Sequence, residues 1–235
     1  MVLSVRNLQA NYGSLKVLFG VDLDLGEGET LALVGANGAG KTTLFSILTG
    51  LLPAAQGDVQ LQRRSLSGLS ARQLVRQGIA MVPEGRKLFP SLSVEENLMT
   101  GAYAGRPGPW QLDRIYELFP TLEPLRNRPS PALSGGQQQL VAIGRALMAN
   151  PILLLCDELS LGLSPSAVDT VYAGLRKVRE EGVSMVIVEQ DIARALTESD
   201  QFACMRHGEI ALSGVSRGAD LAAISAAYFG EKHHA

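Results

Sequence analysis

The segment Gly35-Ala-Asn-Gly-Ala-Gly-Lys-Thr42 restricts the fold of this chain more than any other. It follows an apolar, β-prone run, Leu31-Ala-Leu-Val34, and it opens a stretch with helical spacing, Lys41-Thr-Thr-Leu-Phe-Ser-Ile-Leu48. Strand, glycine-rich bend and helix in that order form a phosphate-binding P-loop. Glycines let the backbone curl around phosphates and turn its N–H groups inward. The helix N-terminus adds a dipole that favours anions. The backbone of Gly35, Ala36, Asn37, Gly38, Ala39 and Gly40 is expected to wrap a nucleotide's phosphates. Lys41 would bring an ammonium to the outer phosphates, Thr42 a hydroxyl ligand for Mg²⁺, and Thr43 a hydroxyl for the inner phosphate. The bland alternative is a glycine-rich turn before a helix, but a chance match to the full pattern is roughly 1% in a chain of this length.

Two further marks bear on the same chemistry. Ile152-Leu-Leu-Leu-Cys-Asp157-Glu158 is an apolar strand ending in two acids. Beside a P-loop, Asp157 is placed to hold Mg²⁺ through water, and Glu158 to orient or deprotonate the attacking water. Without the P-loop, such acids would read as plain helix caps. Leu133-Ser-Gly-Gly-Gln137 has capping-box spacing between Ser134 and Gln137. Its glycine pair, Gly135 and Gly136, costs a helix roughly 1 kcal/mol per residue relative to Ala. That cost makes sense where a phosphate approaches the backbone closely; an ordinary capped helix is the alternative. One molecule rarely folds both grips onto one nucleotide, so the pairing predicts two subunits closing over ATP.

The bulk composition is compatible with this. A chain of 235 residues fits one domain with room for an inserted subdomain. Apolar residues make up 46%, enough for a core, and a net charge of −2 gives no general basic field for nucleic acid. Cys156 and Cys204 lack CxxC spacing and read as reduced cysteines. No stretch approaches the ~18 consecutive apolar residues of a membrane span. The start of the chain lacks a secretory layout, so a cytosolic protein is expected unless a partner carries it to a membrane.

Strands are expected at Val2–Leu8, Val17–Leu25, Thr30–Val34, Gly57–Leu61 and Ile79–Val82. Short helices interrupted by prolines fill about 84–133. Helix, strand, helix, strand and helix then follow from Gly135, Ile152, Pro165, Met185 and Asp191, with strands near Gln201–Met205 and Glu209–Leu212 and a last helix ending near Tyr228. Ser93-Val-Glu-Glu96 and Ser70-Ala-Arg-Gln73 have capping-box form.

Taken together, Gly35–Thr43, Leu133–Gln137 and Leu153–Glu158 resemble the nucleotide-binding subunits of ABC transporters over essentially the full chain. The resemblance implies a P-loop NTPase of α/β class, an ABC-type ATPase domain with an N-terminal antiparallel β subdomain. Residues 1–83 and 134–235 would form the RecA-like core with that β subdomain, and about 84–133 an inserted α-helical subdomain. It implies ATP and Mg²⁺ as cofactors, and a head-to-tail pair in which each ATP lies between one P-loop and the partner's Ser134–Gln137 equivalent. It also implies that Tyr12 stacks on adenine, the alternative being a strand-end aromatic.

Val82-Pro-Glu-Gly-Arg-Lys-Leu-Phe-Pro90, Leu92-Ser-Val-Glu-Glu-Asn-Leu98, Leu161-Gly-Leu-Ser-Pro165, Val188-Glu-Gln-Asp191 and Ala227-Tyr-Phe-Gly230 narrow the likeness to the F-type (LivF) ATPase subunits of branched-chain amino acid importers. Urea-importer ATPases of the same branch are a close competitor. The resemblance implies a LivG-like second ATPase subunit, two transmembrane permease subunits, a periplasmic solute-binding protein acting indirectly, and a place at the cytoplasmic face of the bacterial inner membrane. No nucleic acid partner is expected. A soluble ABC ATPase is the alternative of a different class. A DNA-organising ATPase would need heptad arms that are absent here, and a metabolic P-loop kinase would lack Leu133–Gln137.

Departures from the family pattern fall inside the site. Glu84 stands where Gln is usual; it remains a hard oxygen ligand for Mg²⁺, with Arg86 or Lys87 available to offset its charge. Gln190 stands where a switch His is usual. Its amide can donate to the γ-phosphate but carries no proton, which leaves the chemistry to Glu158. Ser164 and Leu159 replace Asp and Pro. The segment Arg86-Lys-Leu-Phe-Pro90 is expected to form a groove for a helix of the membrane subunit, with Leu88 and Phe89 as anchors, unless both side chains simply pack beneath the helical lobe. The His233-His234 pair reads as a solvated tail.

Overall fold

The computed structural model describes residues 1–229; Gly230 and the His233-His234 pair lie outside the described residues. Two sheets carry the fold. The first is antiparallel, in the order β2-β1-β4-β5, from β1 (Leu3–Tyr12), β2 (Leu15–Leu25), β4 (Gln56–Leu61) and β5 (Arg64–Ser65). The second has the order β10-β9-β3-β8-β7-β6, from β3 (Thr30–Val34), β6 (Ile79–Val82), β7 (Leu153–Asp157), β8 (Ser184–Val188), β9 (Gln201–Arg206) and β10 (Glu209–Val215). Its strands are parallel except β10, which pairs antiparallel with β9.

Strands β3, β7 and β8 are buried at every position, as expected of a parallel sheet covered on both faces. Alternate residues feed two cores. Leu31, Leu33, Leu153, Leu155, Val186 and Val188 join the antiparallel sheet and α1 (Lys41–Leu48) in one apolar cluster. Ala32, Val34, Leu154, Cys156, Met185 and Ile187 join α5 (Gly135–Leu147) and α6 (Pro165–Glu180) in the other. The register Leu154↔Met185 and Leu31↔Val186 keeps each set on its own face.

Helix α2 (Ala71–Gln77) precedes β6. Between β6 and α5 lie α3 (Val94–Thr100), α4 (Leu112–Leu118) and three short 3-10 turns. Leu98, Ile115, Trp110 and Phe119 from this region join the α5–α6 core. Helices α7 (Ile192–Thr197) and α8 (Leu221–Phe229) complete the described chain. Among the described residues no helix is long and apolar enough to cross a membrane.

Some boundaries differ from the sequence expectation. Strand β1 runs on to Tyr12 because irregular pairing at Asn7, which adopts φ 45°, lets the strand continue past its polar residues. Strand β5 is reached through Gln62 and Arg63, both left-handed at φ 48° and 65°, the conformation of a tight hairpin turn. Helix α5 stops at Leu147, and Asn150 takes φ 52° just before β7. The Asn150 side chain accepts from Trp110 N at 2.7 Å and donates to the Arg106 and Trp110 carbonyls, so it ends the helix while pinning a distant loop.

Candidate active site

The P-loop connects β3 to α1, as its flanking residues required. Gly40 caps α1 in a left-handed conformation at φ 112°, and a Cβ there would stand 2.8 Å from Leu18 and 3.1 Å from Met205. Only glycine meets both demands. Lys41 begins α1 and is 6% exposed. Its Nζ donates to the carbonyls of Gly35 at 2.5 Å and Ala36 at 3.2 Å, so the side chain folds back over the loop. Burial lowers the pKa of this ammonium, and the charges of Glu158 and Asp157 counter that shift.

Strand β7 delivers the two acids. Asp157 is 8% exposed, and its pKa is pushed up to about 6, first by burial and then by the charges of Glu158 and Glu84, with Lys41 pulling the other way. Glu158 adopts φ 48°, a left-handed conformation uncommon for a side chain of its size. Its N–H donates to the Val188 carbonyl at 3.0 Å, which ties the end of β7 to the end of β8. Two residues beyond Val188, Gln190 Nε2 donates to Glu158 Oε2 at 2.7 Å. The residue expected to contact a γ-phosphate thus holds the carboxylate.

A cleft of about 500 Å³ brings together Asn37, Gly38, Ala39, Gly40, Lys41, Thr42 and Thr43 with Glu84, Glu158 and Gln190. Val17 and Leu161 also line it, and the sequence reading had singled out neither for this site. The negative charges of Glu158 and Glu84 both bear on Asp157, with the Lys41 ammonium opposing them. Such an excess of negative charge suits a divalent cation. Among the described residues no group of three or more His, Cys, Asp or Glu gathers as a ready-made metal cage, so hydroxyl, water and phosphate oxygens would have to complete any coordination.

Other expected site residues lie apart from the cleft lining. Tyr12, at the end of β1, is 49% exposed. Ser134 is exposed at the start of α5, and its capping box is formed. Gln137 N donates to Ser134 Oγ at 3.3 Å, and Ser134 N donates to Gln137 Oε1 at 2.9 Å. A Cβ on Gly136 would stand 2.9 Å from Ala167 of α6. The close crossing of α5 over α6 therefore accounts for this glycine without any phosphate. Arg86 points to α5 rather than serving Glu84: its guanidinium lies beside Gly135, and Nη1 donates to Gln138 Oε1 at 3.1 Å.

A groove of about 560 Å³ lies to one side, lined by Arg72, Val75, Met81, Lys87, Phe89, Tyr103 and Arg145 among others. Phe89 is 50% exposed, with the Arg145 guanidinium 5.8 Å from its ring centre. Leu88 instead packs against the α5–α6 core, so of the two expected anchors only Phe89 lines the groove. The sequence reading passed over Glu189, a fully buried acid between Val188 and Gln190. Its sequence signals were its place in Val188-Glu-Gln-Asp191 and a charge directly after the apolar run Met185–Val188.

Known proteins resemble this chain in sequence and fold. The family profile described as "ABC transporter" matches residues 18–160. The high-affinity branched-chain amino acid transport ATP-binding protein BraG of Pseudomonas aeruginosa is 39% identical, covering 90% of this chain and 91% of that protein. The probable branched-chain amino acid transport ATP-binding protein LivF of Archaeoglobus fulgidus is 32% identical, covering 92% of each. Among solved structures, an ATP-binding subunit of an ABC transporter superposes with a TM-score of 0.85 at 26% identity, covering 97% of this chain and 100% of that one. An ATP-binding cassette in its ADP conformation superposes at 0.83 with 25% identity, covering 98% and 99%. Since the profile spans the P-loop and both acids of β7, and the relatives span nearly the whole fold, the chain belongs to the ABC transporter family as one of its ATP-binding ATPase subunits.

Proposed function

We propose that this chain hydrolyses ATP to drive an importer of branched-chain amino acids, at the cytoplasmic face of a bacterial inner membrane. The observation carrying the ATPase reading is the cleft in which the P-loop, Glu84, Glu158 and Gln190 converge while Ser134–Gln137 stay outside it. This arrangement supports a composite site of which the chain holds one half, a second ATPase subunit of LivG type supplying the other. The backbone from Gly35 to Gly40, with Lys41, Thr42 and Thr43, cradles the phosphates, and Tyr12 stacks on adenine. Thr42, Asp157 and Glu84 would hold Mg²⁺, which when bound would neutralise phosphate charge. Glu158 takes the proton of the attacking water, and Gln190 orients that carboxylate. Ser134, Gly135, Gly136 and Gln137 face the partner's nucleotide.

Residues 1–83 and 134–235 act as the ATPase core, and about 84–133 as a helical lobe. The groove at Phe89 receives a helix from one of two permease subunits, and a periplasmic solute-binding protein delivers the cargo. The names of BraG and LivF support the choice of solute. ATP favours the closed pair and ADP does not, and that differential affinity supplies the work.

Affinity purification of the full chain from membranes tests this reading, followed by ATPase assay of the recovered complex in vesicles. Integral membrane subunits should co-purify, and leucine, isoleucine or valine with binding protein should raise the ATPase rate. Stimulation by urea instead would overturn the choice of solute, and recovery without any membrane subunit would overturn the importer.

A further inference from the structure

Glu189 is a buried acid that the proposed chemistry does not use. It is 1% exposed, and among the described residues no Lys, Arg or His forms an ion pair with it. Its carboxylate instead accepts two hydroxyl hydrogen bonds. Ser160 Oγ donates to Oε2 at 2.7 Å, and the Tyr172 hydroxyl donates to Oε1. Burying a carboxylate on neutral donors alone is costly, so its presence here calls for a reason beyond packing.

The two donors come from different places. Tyr172 is a fully buried residue of α6, with the Arg194 guanidinium 5.6 Å from its ring centre. Ser160 sits in the loop after Glu158, two residues beyond the carboxylate assigned as the base. Three consecutive residues at the end of β8 therefore grip the segment 158–160. The Val188 carbonyl accepts from Glu158 N, Glu189 accepts from Ser160, and Gln190 donates to the Glu158 carboxylate. Glu158 holds its left-handed φ of 48° inside this grip. A strained backbone persists only where its surroundings over-determine it.

We propose that Glu189 is the positioning residue for Glu158: through Ser160 it ties the loop after β7 to the end of β8 and holds the base in its working geometry, while the Tyr172 bond only shares the burial of the carboxylate. This rests on the reading of Glu158 as the base. Losing the anchor would leave ATP binding intact, because the P-loop is held separately by β3 and α1, but would misplace the attacking water.

Two variants remove one hydrogen bond each from the same buried carboxylate. Ser160→Ala cuts the arm reaching the loop, and Tyr172→Phe cuts the arm reaching the scaffold. In the full chain within its transporter complex, both should lower the melting temperature by similar amounts. Ser160→Ala alone should lower kcat, by about tenfold, with the Kd for ATP unchanged. Glu189→Ala should be at least as slow, and adding Ser160→Ala to it should slow it no further, since both act through one contact. Glu189→Gln, whose amide can still accept from Tyr172 and donate to Ser160, should recover most of the rate. Equal kcat losses in Ser160→Ala and Tyr172→Phe, or additive losses in the double variant, would overturn the proposal. Glu158→Gln separates the two readings. If it retains turnover, the assignment of the base fails; if it is inactive while Ser160→Ala and Glu189→Ala turn over normally, only the positioning role fails.

Discussion

Lys41, Asp157 and Glu158 each carry a constraint set by their neighbours in the fold. The Lys41 ammonium donates to carbonyls of its own loop, and at the proposed ATP site a nucleotide would exchange those bonds for bonds to phosphate. Lys41→Ala removes both sets, and nucleotide affinity in a titration should fall by tenfold or more. Asp157 is the converse case. Unfolded, it ionises near the usual 3.8; in the fold its pKa is about 6. Between those values the native state binds more protons than the unfolded chain, so this residue's contribution to stability falls as pH rises from about 4 to about 6. The shift is worth on the order of 3 kcal/mol at most. Asp157→Asn should therefore raise the melting temperature of nucleotide-free protein above pH 6, while weakening Mg²⁺-dependent ATP binding. An unchanged melting profile would remove the charge crowding inferred here. Glu158→Gln keeps a side chain able to meet Gln190, yet loses the proton acceptor. Hydrolysis should drop by about 10² or more, with ATP still bound.

At the scale of elements, most residues that line the cleft were legible in the sequence, and the contacts that hold them in place were not. The P-loop was readable because glycine spacing, Lys and Thr together encode one backbone path between a strand and a helix. Strands β3, β7 and β8 were readable because a two-faced parallel strand is a continuous apolar run. Strand β1 beyond Leu8 was hidden, since its polar residues make sense only beside β2 and β4. Arg86 was expected near Glu84 but reaches Gln138, a pairing set by the left-handed turn at Arg86 and Lys87. Gly136 was read as room for phosphate, whereas Ala167, 31 positions further on, already requires it. Long-range packing of this kind leaves no local signature. The Phe89 groove is an element-scale feature with its own test. Its apolar floor and the Lys87, Arg72 and Arg145 rim suit an amphipathic helix with acidic flanks. Phe89→Ala should leave ATP binding unchanged and lower transport per ATP hydrolysed, measured as solute uptake against phosphate release in vesicles. Unchanged uptake would exclude the groove as the coupling contact.

At the scale of the whole molecule, Ser134 is exposed at the start of α5, and none of Ser134–Gln137 lines the chain's own cleft. A residue there would affect its own nucleotide only indirectly, whereas in the proposed head-to-tail pair it would meet the partner's γ-phosphate. Ser134→Glu places a negative charge against that phosphate. It also removes the hydroxyl that accepts from Gln137 N, a loss of about 1 kcal/mol in helix capping. The two effects predict different outcomes. Capping alone would shift the melting temperature by a few degrees and leave association intact. Charge repulsion would abolish the ATP-dependent pair while the isolated chain binds nucleotide as tightly as before. Light scattering of the chain mixed with its second ATPase subunit at saturating Mg²⁺–ATP, with Glu158→Gln to block turnover, should show a pair for the parent and single subunits for the Ser134→Glu derivative. Nucleotide titration of the same two proteins, at concentrations too low for association, should give equal affinities. A derivative that still pairs would mean that Ser134 does not face the nucleotide, and a derivative that loses its own ATP affinity would place the residue in its own site rather than the partner's.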